Sequence, residues 1–149
     1  MEAKLVNGDE SRVFSMMGVT IRVRASASDT GGAVTVLEQT VAPGGGSPLH
    51  TVEQDKIVLV LEGAVAVTIG DSKRPCSPGA TAFIPRGVPH CFANDGQAPA
   101  QILVLTTPGG HEEFLREASE AMGGPTPSRE AFRAACARHG VGLVGGPAT

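Results

Sequence analysis

The chain has 149 residues, 41% hydrophobic and 18% charged, a length and composition that fit one globular domain. A chain of this size buries roughly 68–70% of the surface its unfolded form exposes, so a single apolar core suffices without disulfide staples. The formal charge is −3, with no run of Lys and Arg, which excludes the basic footprint of a nucleic-acid or anionic-membrane binder and leaves a small molecule as the expected partner.

Taken in chain order, residues 1–18 form an N-terminal extension. Its first fifteen residues, MEAKLVNGDESRVFS, show no clear pattern and no signal-peptide apolar run. From Val19 the sequence predicts short strands: VTIRVRA (19–25), AVTVLEQTV (33–41), IVLVL (57–61), AVAVTIG (64–70), TAFIP (81–85) and QILVLT (101–106). Between them lie DTGG, PGGG, EG, GDSKRP, SPG, PRGVP and NDGQAP, all turn material. With 20 Gly and 11 Pro and neither Trp nor Tyr, many short strands around an aliphatic core predict an all-β sandwich or barrel over residues 19–108. Residues 109–149 then change character. HEEFLREASEAM sets Phe114, Leu115, Ala118 and Met122 at helical spacing with Gly123 as its stop. In TPSREAFRAACARHG, Pro127 stands in the first turn, Phe132, Ala135 and Cys136 share a face, and Gly140 closes the helix. These helices are expected on the barrel exterior or across one end, and the tail GGPAT carries no pattern. Cys76, Cys91 and Cys136 are odd in number and form no CxxC pair. The longest apolar run, Ile57–Leu61, is too short to span a bilayer. A reduced, cytoplasmic, soluble protein is expected.

Two stretches carry chemistry. In GATAFIPRGVPHCFAN, Gly79, Pro85, Gly87, His90 and Asn94 are separated by five, one, two and three residues. This resembles the second motif of the cupin superfamily at every defining position. The stretch GGSPLHTVEQDKIVLVLEG resembles the first cupin motif, a Gly-rich turn followed by His-x-His, three or four residues, Glu, six residues and Gly. The resemblance covers roughly residues 33–106 and extends to quercetin-2,3-dioxygenase-like proteins. It implies a conical cupin jelly-roll β-barrel with the site inside and a short C-terminal helical segment.

Cupin metal enzymes take two His and one Glu from the first motif and one His from the second. Here His50 and His90 stand at two of those positions, Val52 replaces the other His, and Lys56 stands where the Glu belongs. A unit charge pair at 4 Å is worth about 4 kcal/mol at an effective dielectric of 20, so a protonated Lys would repel a divalent ion by roughly twice that. No cofactor is therefore the expectation. The alternative is a divalent Fe, Ni, Mn or Zn ion on His50 and His90, with Glu53 or Asp55 brought inward by a bulge.

The catalytic candidates are His50, His90 and Lys56, with Val52, Val58 and Phe92 against the substrate. The two imidazoles suit proton transfer. Lys56 suits a desolvated base or an anion stabiliser, against the plainer reading in which its ammonium snorkels to the barrel mouth. Cys91 should face away from His90 as a structural thiol. Arg22 and Arg24 share an exposed or interfacial face, and Arg86 serves a turn. His111 reads as an early-helix surface residue, because Leu115 stands where a zinc-protease motif needs its second His, and His139 sits in a last turn where the helix dipole favours a cation. The expected function is acid-base chemistry on a small organic, aromatic or polyketide-like metabolite: cyclisation, isomerisation, epimerisation or dehydration. Alternatives are a metal-dependent quercetinase-type dioxygenase and a non-catalytic ligand-binding or sensing barrel. A homodimer is expected through strand 19–25 as a free edge.

Overall fold

Alternating apolar and polar side chains build two antiparallel sheets in the computed structural model, which describes residues 1–144. The strands are β1 (Val13–Met16), β2 (Val19–Ala25), β3 (Thr35–Val41), β4 (His50–Thr51), β5 (Asp55–Glu62), β6 (Val65–Ile69), β7 (Ser72–Cys76), β8 (Thr81–Ile84), β9 (His90–Ala93), β10 (Ala100–Thr107) and β11 (Gly142–Leu143). One sheet runs β1-β2-β3-β10-β5-β8 and the other β11-β4-β9-β6-β7. The architecture is the cupin jelly roll.

Period-2 alternation decides what each strand sends inward. On β3 the buried set is Thr35, Leu37, Gln39 and Val41, and on β5 it is Lys56, Val58 and Val60. Register lays Leu37, Val104 and Val58 side by side across β3, β10 and β5, and Val65 and Val67 of β6 complete the core. Two glycines hold this geometry open. Gly63 ends β5 at φ +71°, and a Cβ there would lie 2.7 Å from the Pro99 carbonyl oxygen. A Cβ on Gly46 would collide with the Phe92 carbonyl. Asn94 is buried and its amide donates to the carbonyls of Val41 and Ala98 at 2.9 and 2.8 Å, tying the end of β9 to β3.

The helices are α1 (His111–Met122) and α2 (Arg129–Arg138). α1 buries His111, Glu112, Phe114, Leu115 and Ala118, and α2 buries Phe132, Ala135 and Cys136. They close one end of the barrel. Glu112 anchors that closure: one carboxylate oxygen accepts from Ala27 N at 2.8 Å, the other from Thr35 Oγ1 at 2.5 Å and Gly110 N at 3.1 Å. Glu117 of α1 pairs with Arg138 and accepts from His139 Nε2 at 2.9 Å, joining the helices. Beyond α2, β11 adds to β4 with Leu143 opposite His50.

Several expectations are corrected. β1 begins within the patternless first fifteen residues because it pairs along β2. The presumed turn GDSKRP supplies β7, an edge strand on which Pro75 is tolerated. Strand 19–25 is no free edge, since β2 lies between β1 and β3 and the edges of its sheet are β1 and β8. Pro127 precedes α2, whose N-cap is Ser128, accepting from Ala131 N at 3.1 Å. The tail GGPAT lies outside the described residues.

Replacing Glu112 with Ala strands the buried Thr35 hydroxyl proton and the half-buried Ala27 N–H, while Gly110 N keeps Thr35 Oγ1 as its acceptor at 2.9 Å. Glu112→Ala is expected to lower unfolding stability by about 3 kcal/mol in urea titration and to speed amide exchange in α1 before the barrel strands.

Candidate functional site

The two motif strands meet where β4 pairs with β9, and the pairing sets His50 directly opposite His90. Their ring centroids lie 4.4 Å apart. Each ring is fixed by its own chain two residues back: His50 Nδ1 lies 2.7 Å from the Pro48 carbonyl and His90 Nδ1 2.9 Å from that of Val88. A carbonyl only accepts, so each neutral imidazole carries its proton on Nδ1 and leaves Nε2 as an acceptor.

Lys56 fills the acceptor of His90, with Nζ 2.8 Å from Nε2. It comes from β5, whose alternation turns Lys56 inward and Asp55 outward. Lys56 is 5% exposed, so its ammonium does not snorkel to solvent. Burial depresses its pKa to about 7. Burial first, then the charge of Lys56, hold His50 near 3 and His90 near 4. At neutral pH both imidazoles are therefore neutral and the amine titrates.

A third histidine joins them. His111, read from sequence as a surface residue, is 5% exposed and lines the same cavity from the first turn of α1. Its pKa lies well below the ordinary value, from burial and then from Lys56, His50 and His90. A helical signal for it was present, because His111 shares the face of Phe114, Leu115 and Ala118. Gln39 was likewise passed over, although strict alternation sets it between inward Leu37 and Val41; it too is 5% exposed. The cavity has a volume of about 60 Å³ and opens on one side, with Ile21, Phe92, Phe114 and Leu115 among its apolar walls. A smaller recess, about 20 Å³, reaches His90, Val58 and Ile84.

Of the expected substrate contacts, Val58 lines the smaller recess and Phe92 both spaces. Val52 is corrected: it is buried in the core, 3% exposed, and lines neither space. The bulge that would turn a carboxylate inward is corrected as well. Asp55 accepts from Arg86 N at 2.9 Å and pairs with its guanidinium at 3.2 Å, and Glu53 is exposed. Arg24 pairs with Glu38 at 3.1 Å on the outer face. Cys76, Cys91 and Cys136 are free thiols.

These residues do not fit the divalent ion that the motif resemblance implies. The one lone pair His90 has for a metal is taken by Lys56, and among the described residues no carboxylate lines the cavity. Among the described residues no group of three or more His, Cys, Asp and Glu is arranged to hold an ion. No helix among them is long and apolar enough to cross a membrane.

Comparison with known proteins follows the same motifs. The Cupin domain family model (Cupin_2) matches residues 37–106. A curated protein, endoribonuclease YbeY of Myxococcus xanthus (strain DK1622), is 28% identical over 114 residues, covering 76% of this chain but only 36% of its own length. The chain thus spans about a third of that longer relative. Among solved structures, the polyketide cyclase RemF of Streptomyces resistomycificus superposes with TM-score 0.64 at 26% identity, over 71% of this chain and 80% of that one. A sugar phosphate isomerase of the cupin superfamily from Silicibacter pomeroyi gives TM-score 0.60 at 29% identity, over 70% and 75% of the two chains. With both motif histidines facing inward from the jelly roll, the chain belongs to the cupin superfamily as a small member.

Proposed function

We propose that this cupin is an acid-base enzyme for a small organic substrate bearing an enolisable or otherwise acidic group, with Lys56 as the proton-transferring residue. The carrying observation is a buried amine, hydrogen-bonded only to His90 and without a carboxylate partner among the described residues. A general base works best with a pKa near the operating pH. Lys56, near 7, meets that condition, whereas His50 and His90, near 3 and 4, do not. The roles thus differ from the expectation in which the imidazoles carry the proton.

In this reading the neutral amine donates one N–H to His90 Nε2 and turns its lone pair toward the substrate. It takes a proton from carbon, the C–H electron pair moves onto the adjacent carbonyl oxygen, and the resulting ammonium faces the enolate it has made. Return of that proton to a different carbon is an isomerisation; attack of the enolate on an internal carbonyl is a cyclisation. His50 Nε2 accepts from a substrate hydroxyl. The likeness to a polyketide cyclase and a sugar phosphate isomerase, both named for rearrangements of small oxygenated molecules, supports the same class, although fold by itself does not give function. The donor set disfavours the dioxygenase alternative, and the binding-barrel alternative separates from ours by turnover.

Deuterium uptake from D2O into the methyl ketone of acetophenone, followed by proton NMR, tests the reading. Wild type is expected to exceed Lys56→Met by roughly 10²–10⁴-fold; binding without exchange would instead mark a binding protein. Elemental analysis is expected to find no stoichiometric Fe, Ni, Mn or Zn, and a metal lost on His90→Ala would overturn the ligand argument.

Stability should follow Lys56 as well. Between its folded pKa of about 7 and the ordinary lysine value of 10.5 the unfolded chain holds a proton that the native one lacks, so stability rises with pH. The gain is about 1.4 kcal/mol per unit, on the order of 4 kcal/mol from pH 7 to 10, so stability is lost progressively as pH falls from about 10.5 to about 7 and the profile is flat below. Urea titrations of Lys56→Met are expected to show greater stability at pH 7 and a flatter profile over this window.

A further inference from the structure

We infer that Gln39 and His111 form a second polar pole of the cavity, which binds a neutral carbonyl or hydroxyl of a substrate whose acidic oxygen sits at Lys56. This deepens the acid-base reading and rests on it, because Lys56 defines the first pole.

The hydrogen bonds of His50, His90 and Lys56 are the three already described. The Gln39 amide and the His111 ring take part in none of them and have no protein partner elsewhere among the described residues, yet each residue is only 5% exposed. Both border the main cavity and the smaller recess. This fold otherwise satisfies buried side chains with care: Glu112 and Asn94 engage both of their terminal polar atoms. Among fully enclosed side-chain atoms of the described residues only the Thr106 hydroxyl lacks a partner. Gln39 and His111 differ from it in opening onto the cavity.

More than nine in ten buried polar groups in folded proteins are paired, and an unpaired one is costly. Two such groups without a protein partner, both lining one cavity, therefore mark groups whose partner is a ligand. The amide offers two N–H donors and a carbonyl, and the neutral imidazole one donor and one acceptor. Together they suit a hydroxyl or ketone rather than a second charge. The walls beside them, Ile21, Phe92, Phe114 and Leu115, are apolar, so the substrate class is an apolar or aromatic skeleton bearing two oxygen functions, one acidic and one neutral. His111 arrives on α1, so this pole exists only when the helix is docked.

Calorimetric titration with the three hydroxyacetophenone isomers, phenol and acetophenone tests the inference. At least one hydroxyacetophenone is expected to bind wild type roughly tenfold more tightly than phenol. Gln39→Met and His111→Phe should each erase most of that margin while leaving phenol affinity within about twofold, and His111→Gln should recover part of it. Unchanged phenol binding also shows that the variants are folded. The inference is overturned if no isomer exceeds phenol, or if both variants keep the margin. Lys56→Met should weaken phenol and hydroxyacetophenone alike. If it weakens neither while Gln39→Met still removes the margin, the acid-base reading fails and the second pole stands.

Discussion

The hydrogen bond between Lys56 and His90 is the constraint around which the barrel interior is arranged. An amine removed from water loses its charge readily unless a carboxylate holds it, and none among the described residues does. The imidazole that receives it can only accept, because the Val88 carbonyl already holds its other nitrogen. One backbone carbonyl thus sets a tautomer, the tautomer sets the direction of the bond, and that bond occupies the lone pair a metal would need. The motif strands thus enclose a basic nitrogen whose pKa burial lowers to about 7.

The closed end depends on a different buried charge. Glu112 gathers the start of α1, the chain at Ala27 and the hydroxyl of Thr35 on β3. It lies one residue beyond His111, so the anchor that docks the helix also fixes the imidazole over the cavity. On the other side β11 lengthens the sheet beside His50. Segments distant from the two motifs in sequence thereby supply much of the cavity wall, among them Phe114, Leu115, Phe132 and Leu143. A barrel with the same motifs and another C-terminus would present a different cavity, which is why kinship within this superfamily says more about the frame than about the substrate.

The sequence by itself determined the strands that alternate and the motif that holds the reactive groups. Turn residues at fixed spacing and period-2 alternation are local, and they suffice to turn His50, Lys56 and His90 inward while Asp55 faces out. Gln39 was legible by the same rule, and His111 by helical spacing to Phe114, but neither pattern says what an inward residue will face. Val52 shows the limit from the other side, being inward yet walled off from the cavity. β1, β7 and β11 were hidden for a related reason: each is a short edge strand whose residues gain order from pairing with a neighbour rather than from their own pattern. Only the tertiary structure decided that Lys56 meets His90, that no carboxylate of the described residues reaches the cavity and that α1 closes it. Those outcomes depend on contacts between segments far apart in the chain, where the direction of a long side chain and the docking of a helix are set by packing and by the cost of leaving buried polar groups without partners.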